Sequence, residues 1–123
     1  KADDGTEAFG NITFVDSAAI DLDSSASANG DLFINAGTDG AISGDLSITA
    51  TTGNITQNIA LTIGGTSSFT TSASNATITL STDSNAFTGA VSASTVGSSG
   101  DVTIDNGTTA LNLGTLTANG ALS

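Results

Sequence analysis

The chain has 123 residues, room for one ordinary domain, and five small residue types (17 Ser, 21 Thr, 15 Gly, 18 Ala and 10 Asn) make up about two thirds of it. Cys, His, Met, Trp, Tyr, Pro and Arg are all missing and Lys1 is the only base, so nearly every side chain that serves nucleophilic, acid–base or transition-metal chemistry is gone and no enzyme is expected. Twelve acids against one Lys give a net charge of −11, which repels nucleic-acid phosphates and anionic lipid alike.

Low complexity and lopsided charge are also marks of disorder. Ile, Leu, Val and Phe nevertheless total 28 residues, above the level of roughly 20% below which a highly charged chain stays unfolded. No apolar run approaches the ~18 residues of a membrane span. Lys1-Ala2-Asp3-Asp4-Gly5 does not open like a signal peptide, so a mature or excised chain is expected. The lack of Cys is compatible with export.

Along the chain, apolar residues alternate with small polar ones in short bursts, the period of a strand. On such strands the expected inward pairs are Ile12 and Phe14, Ile20 and Leu22, Leu32 and Ile34, Leu46 and Ile48, Leu61 and Ile63, Ile78 and Leu80, Val102 and Ile104, and Leu111 and Leu113. Phe69, Phe87, Val91 and Leu116 add single inward residues. Between the bursts sit turn formers, among them Asn29-Gly30, Asp39-Gly40, Gly64-Gly65, Asn106-Gly107 and Asn119-Gly120. No window repeats its apolar residues at helical spacing, and Gly, Ser, Thr and Asn are indifferent to poor helix formers, so almost no helix is expected.

The strands recur. Starts at Gly10, Gly30, Gly53, Ala76, Gly100 and Gly120 are separated by 20, 23, 23, 24 and 20 residues. A period of this length, with two or three short strands in each repeat, is the mark of a solenoid whose turns bury their apolar faces against one another. The expected fold is all-β, a right-handed parallel β-helix of about five coils of 20–24 residues. The alternative is an antiparallel β-sandwich, which also uses short strands between frequent turns; five Phe with no Trp or Tyr would fill its wide core poorly. Residues 1–29 read as an acidic N-terminal segment and first coil, and 30–123 as the solenoid repeats of one domain, a segment of a longer array. Nine of the twelve acids fall within the first 45 residues.

The run Gly44-Asp45-Leu46-Ser47-Ile48-Thr49-Ala50-Thr51-Thr52-Gly53-Asn54-Ile55-Thr56-Gln57 resembles the repeat region of filamentous-haemagglutinin-like large secreted bacterial adhesins. Ala60 to Phe69 and Ala110 to Leu116 are similar to the linking strands of such arrays, and the likeness covers roughly residues 30 to 123. The resemblance implies a right-handed parallel β-helix, export across the outer membrane and an extended stalk for attachment or aggregation, hence an extracellular or cell-surface location.

Asp21 and Asp23 lie two apart on a strand and project to one face, where they could hold calcium or act as an acid–base pair; a solvated acidic face is the plainer reading. Asp101 and Asp105, with Asn106 beside Gly107, could also contribute calcium oxygens, although the Gly-Gly-x-Gly-x-Asp calcium repeat is missing. No cofactor is expected, calcium being the one ion these residues would admit. Thr-x-Thr occurs at Thr49 to Thr51, Thr77 to Thr79 and Thr115 to Thr117, at spacings of 28 and 38 that are not coil multiples, and reads as ordinary strand surface. Four glycosylation sequons, at Asn11, Asn54, Asn75 and Asn106, are about as many as chance supplies in a chain this rich in Ser and Thr.

The expected function is a structural or adhesive extracellular repeat module of a bacterial surface protein or fibre, acting in attachment, cell–cell contact or biofilm. Its partners would be adjoining repeats, other copies of itself, or surface glycans and proteins, and not nucleic acid. One alternative is a self-assembling filament or surface-layer subunit completed by neighbouring copies. The other is a glycan- or calcium-binding β-sandwich.

Overall fold

The computed structural model describes residues 12–16, 20–22, 41–57 and 59–123. They form strands β1 (Ile12–Asp16), β2 (Ile20–Leu22), β3 (Ala41–Ile42), β4 (Leu46–Ala50), β5 (Ile55–Gln57), β6 (Thr62–Ile63), β7 (Ser67–Ser74), β8 (Ile78–Leu80), β9 (Ala86–Phe87), β10 (Val91–Val96), β11 (Val102–Ile104) and β12 (Leu113–Thr117). No helix occurs among the described residues.

Each strand pairs with the one three places on in the chain, or two for β10 and β12. The result is three sheets: one of five strands in the order β1-β4-β7-β10-β12 (sheet B), one of four in the order β11-β8-β5-β2 (sheet C), and one of three in the order β3-β6-β9 (sheet A). Every pairing between strands is parallel. The chain is therefore a three-sided β-solenoid, and the antiparallel sandwich is excluded.

The coil count differs from the expected five. Sheet A has three strands, so three complete three-sided coils are described, with β1 and β2 before them and β12 with a bridge from Val102 to Leu122 after. The starts at Gly53, Ala76, Gly100 and Gly120 do share one face, since Ile55 pairs with Ile78, Ile78 with Val102, and Val102 with Leu122. The start at Gly10 does not. Ile12 lies on sheet B beside Leu46, and the strand of sheet C that precedes β5 is β2. Gly followed by alternating residues opens strands on more than one side of the coil, so local pattern alone counted two sides as one. Leu32 and Ile34 lie outside the described residues, and β1 and β4 are direct neighbours in sheet B.

Alternation settles which side chains fill the coil. Leu46, Ile48, Ile55, Leu61, Ile63, Phe69, Ile78, Leu80, Phe87, Val91, Val102 and Ile104 are all buried, as are Ile42 and Ala50. The volumes fit together down the stack: Ile48, Phe69 and Ala93 follow one another in register, so the largest side chain has the smallest above it. Phe69 meets Phe87 edge to face, ring centroids 6.1 Å apart. The pairs Ile12/Phe14 and Ile20/Leu22 fall in β1 and β2, where their side chains lie outside the described residues. Leu111 and Leu113 are not an inward buried pair: they are 36% and 50% exposed. Leu113 continues the row of Val91, but no described strand lies beyond β12 to cover it. Leu116 is half-buried against the core.

Candidate functional site

The coils are tied at their corners by side chains that substitute for backbone carbonyls. Asp45 Oδ1 accepts from the N–H and the hydroxyl of Thr66 at 2.7 and 2.9 Å. Asn54 Oδ1 accepts from Thr77 N–H, Asn75 Oδ1 from Ser99 N–H, and Asp101 Oδ1 from Ala121 N–H, reaching 23, 24 and 20 residues ahead. Thr66 N–H and Thr66 Oγ1 together hold the Asp45 carboxyl below its ordinary carboxylate value, because both donors favour the charged form.

A second set of amides lies inside the coil. Asn85 is 2% exposed; its Oδ1 accepts from Leu61 N–H and from Gln57 Nε2, and its Nδ2 donates to Gln57 Oε1, Leu80 O and Asp105 O. Asn106 is 5% exposed. Its Oδ1 accepts from Phe87 N–H at 2.7 Å, and its Nδ2 donates to Phe87 O, Thr109 O and Ala110 O. Burial of an amide is tolerated here because its donors and acceptor are matched. Gly107 then leaves the corner at φ +56, where a Cβ would stand 2.5 Å from Asp83 O.

The described calcium candidates lie on these strands and corners. Asp21 sits in β2 beside Thr56, and Asp23 lies outside the described residues. Asp101 and Asp105 flank β11; Asp101 caps the next coil, and Asp105 Oδ1 accepts from Gly107 N–H at 2.7 Å. Asn106 is turned into the interior and does not offer its oxygen to an ion. Among the described residues no group of three or more His, Cys, Asp or Glu gathers where a metal could be held.

The outer face of sheet B carries an arrangement that Thr-x-Thr spacing does not reveal. Thr49 is on sheet B and Thr79 on sheet C, so those triplets do not stack. What stacks is any hydroxyl residue in either place. Ser47, Ser68 and Ser92 form one rank, and Thr49, Thr70, Ser94 and Thr117 another. All are partly or fully exposed, and the residues between them point inward. Neighbouring members of a rank are one strand spacing apart, ~4.8 Å. Aligning Ser and Thr together at the coil period would have shown both ranks. Between Val91 and Ala93 the register with β12 shifts, and Thr115 N–H donates to Ser92 Oγ at 3.1 Å. This bulge lies along a shallow trough of about 240 Å³ lined by the hydroxyl residues Ser68, Thr70, Ser92, Ser94, Thr115 and Thr117.

No curated protein and no solved structure matches the chain. Residues 9–94, from before β1 into β10, match a family described as repeats of unknown function (DUF5649), and the chain belongs to that family of repeats.

Proposed function

We propose that this chain is an extracellular structural or adhesive repeat module of a bacterial surface protein or fibre, and that its solenoid makes a stiff stretch whose sides meet other surfaces without catalysis. The observation that carries the reading is the hydroxyl-lined outer face of sheet B, two ranks that run over successive coils while the carboxylates of Asp45 and Asp101 are drawn to the corners. Ser and Thr hydroxyls both donate and accept, which suits the hydroxyls of glycans and the polar groups of other proteins. The likeness of Gly44 to Gln57 to the repeats of filamentous-haemagglutinin-like adhesins supports the same reading. The coils wind right-handed in this proposal, as ~98% of parallel strand crossovers do.

The test is adhesion of the labelled 123-residue chain to bacterial cells and to immobilised polysaccharides, beside a variant carrying Ser68→Lys and Thr70→Lys. Both positions face outward, so folding should persist. Binding that the double variant loses supports the proposal. Binding that it keeps moves the contact off sheet B, and binding to neither surface leaves a purely structural repeat.

A further inference from the structure

Sheet B gives an acidic chain an uncharged face. The net charge is −11, yet β4, β7, β10 and β12 contain no charged residue. Asp45 lies between β3 and β4, Asp83 between β8 and β9, and Asp101 and Asp105 flank β11 of sheet C. On this face the trough is lined by three hydroxyl pairs: Ser68 and Thr70 in β7, Ser92 and Ser94 in β10, and Thr115 and Thr117 in β12. The members of a pair are two residues apart along a strand, about 7 Å, and the pairs follow one another coil by coil at ~4.8 Å.

The register shift shapes the trough. Val91 pairs with Leu113 and Ala93 with Leu116, so Gly114 and Thr115 both stand opposite Ser92. A Cβ on Gly114 would collide with Ser92 Oγ, and that hydroxyl accepts the Thr115 N–H. The face is therefore interrupted where a flat partner would need it continuous, and a narrow chain lying along the solenoid axis suits it better. Hydroxyls without charge then select the occupant. Each one donates and accepts, as sugar hydroxyls do. An anionic polymer would meet no cation on this face and would be repelled by the net charge. The spacing between coils is close to the advance per sugar of an extended β-linked pyranose chain, so successive sugars would meet successive hydroxyl pairs.

We propose that the trough over β7, β10 and β12 binds a neutral, extended β-linked polysaccharide that runs along the solenoid axis, across the strands. The inference rests on the adhesive reading, from which it takes sheet B as the contact face, and adds the chemical class and direction of the partner. Each hydrogen bond to a sugar replaces one to water, so a single pair contributes little and affinity builds up over several sugars.

Titration of the isotope-labelled 123-residue chain with cellobiose, cellohexaose and chitohexaose, followed by amide chemical shifts, tests it, with hexagalacturonate as the anionic counterpart. Both neutral hexamers should shift residues centred on β7, β10 and β12, and cellobiose should bind more weakly. A variant carrying Thr70→Val and Ser94→Ala, which removes two hydroxyls with little change of shape, should bind cellohexaose about tenfold more weakly. Thr79→Val, on the outer face of sheet C, should bind as the native chain does. Melting of each variant checks that folding is kept. No shift with either neutral hexamer, equal binding of hexagalacturonate, shifts centred elsewhere, or undiminished binding by the double variant overturns the proposal. Adhesion to cells without hexamer binding overturns this inference alone, whereas hexamer binding without adhesion overturns the adhesive role and leaves the site.

Discussion

At Ser67 a hydroxyl sits where its neighbours in the stack, Leu46 and Val91, are aliphatic. The residue is 2% exposed and its Oγ has no hydrogen-bond partner, so it bears the desolvation cost of a polar group without the return. Ser67→Ala should stabilise the solenoid by about 1 kcal/mol, read as a higher urea midpoint at unchanged slope. Asp45 makes a different kind of local prediction. Its folded pKa is lowered by the two Thr66 donors, so its contribution to stability is present above the ordinary carboxylate range and is lost as pH falls through its own lowered value. The melting difference between the native chain and Asp45→Asn, whose amide oxygen can keep the Thr66 N–H contact without the charge, should therefore shrink in acid. A difference that grows on acidification would refute this. Burial at single positions was legible because a strand's alternation is a local property: Leu46, Ile48, Ile78 and Leu80 could be placed inward from their own neighbours. The roles of Asn85 and Asn106 were not, because Asn next to a turn looks the same whether its amide faces water or plugs a corner.

Among the strands, the same alternation means different things according to what lies next in the stack. Ile78 in β8 has β5 on one side and β11 on the other and is fully buried. Among the described residues, Leu113 in β12 has a strand, β10, on one side. Ile78→Asp should abolish cooperative folding, at a cost on the order of 4 kcal/mol or more for an unpaired buried charge, while Leu113→Asp should melt within a few degrees of the native chain. Thermal unfolding of the two variants side by side checks the contrast. Strand identity was readable from the sequence, and for sheet C so was the coil period. Which side of the coil each strand joins was not, because the inward residues of all three sheets are the same aliphatic types. Gly44 and Gly65 lie two residues before Leu46 and Ser67, and a Cβ on Gly65 would stand 2.5 Å from Gly44 O. Gly89, two residues before Val91, meets Gly65 in the same way. Glycines aligned at 44, 65 and 89 mark one corner of the coil, but Gly53 and Gly100 stand at the same spacing before Ile55 and Val102 on sheet C, so the glycine alone does not tell one side from another.

For the molecule as a whole, stability in a stack of coils is a sum of contacts between nearest neighbours, and no coil needs to touch a distant one. The corner contacts give that stack a direction. Asp45, Asn54, Asn75, Ser92 and Asp101 each accept an N–H from the coil that follows. The buried amides of Asn85 and Asn106 each reach back to accept from the coil before. A completed coil therefore offers unfilled acceptors to the next stretch of chain, and that stretch brings the amide that locks it in place. A chain emerging N-terminus first, from a ribosome or a membrane pore, would at every moment present a finished template to the segment just released, and its growth would run one way, like a zip drawn from the first coil to the last.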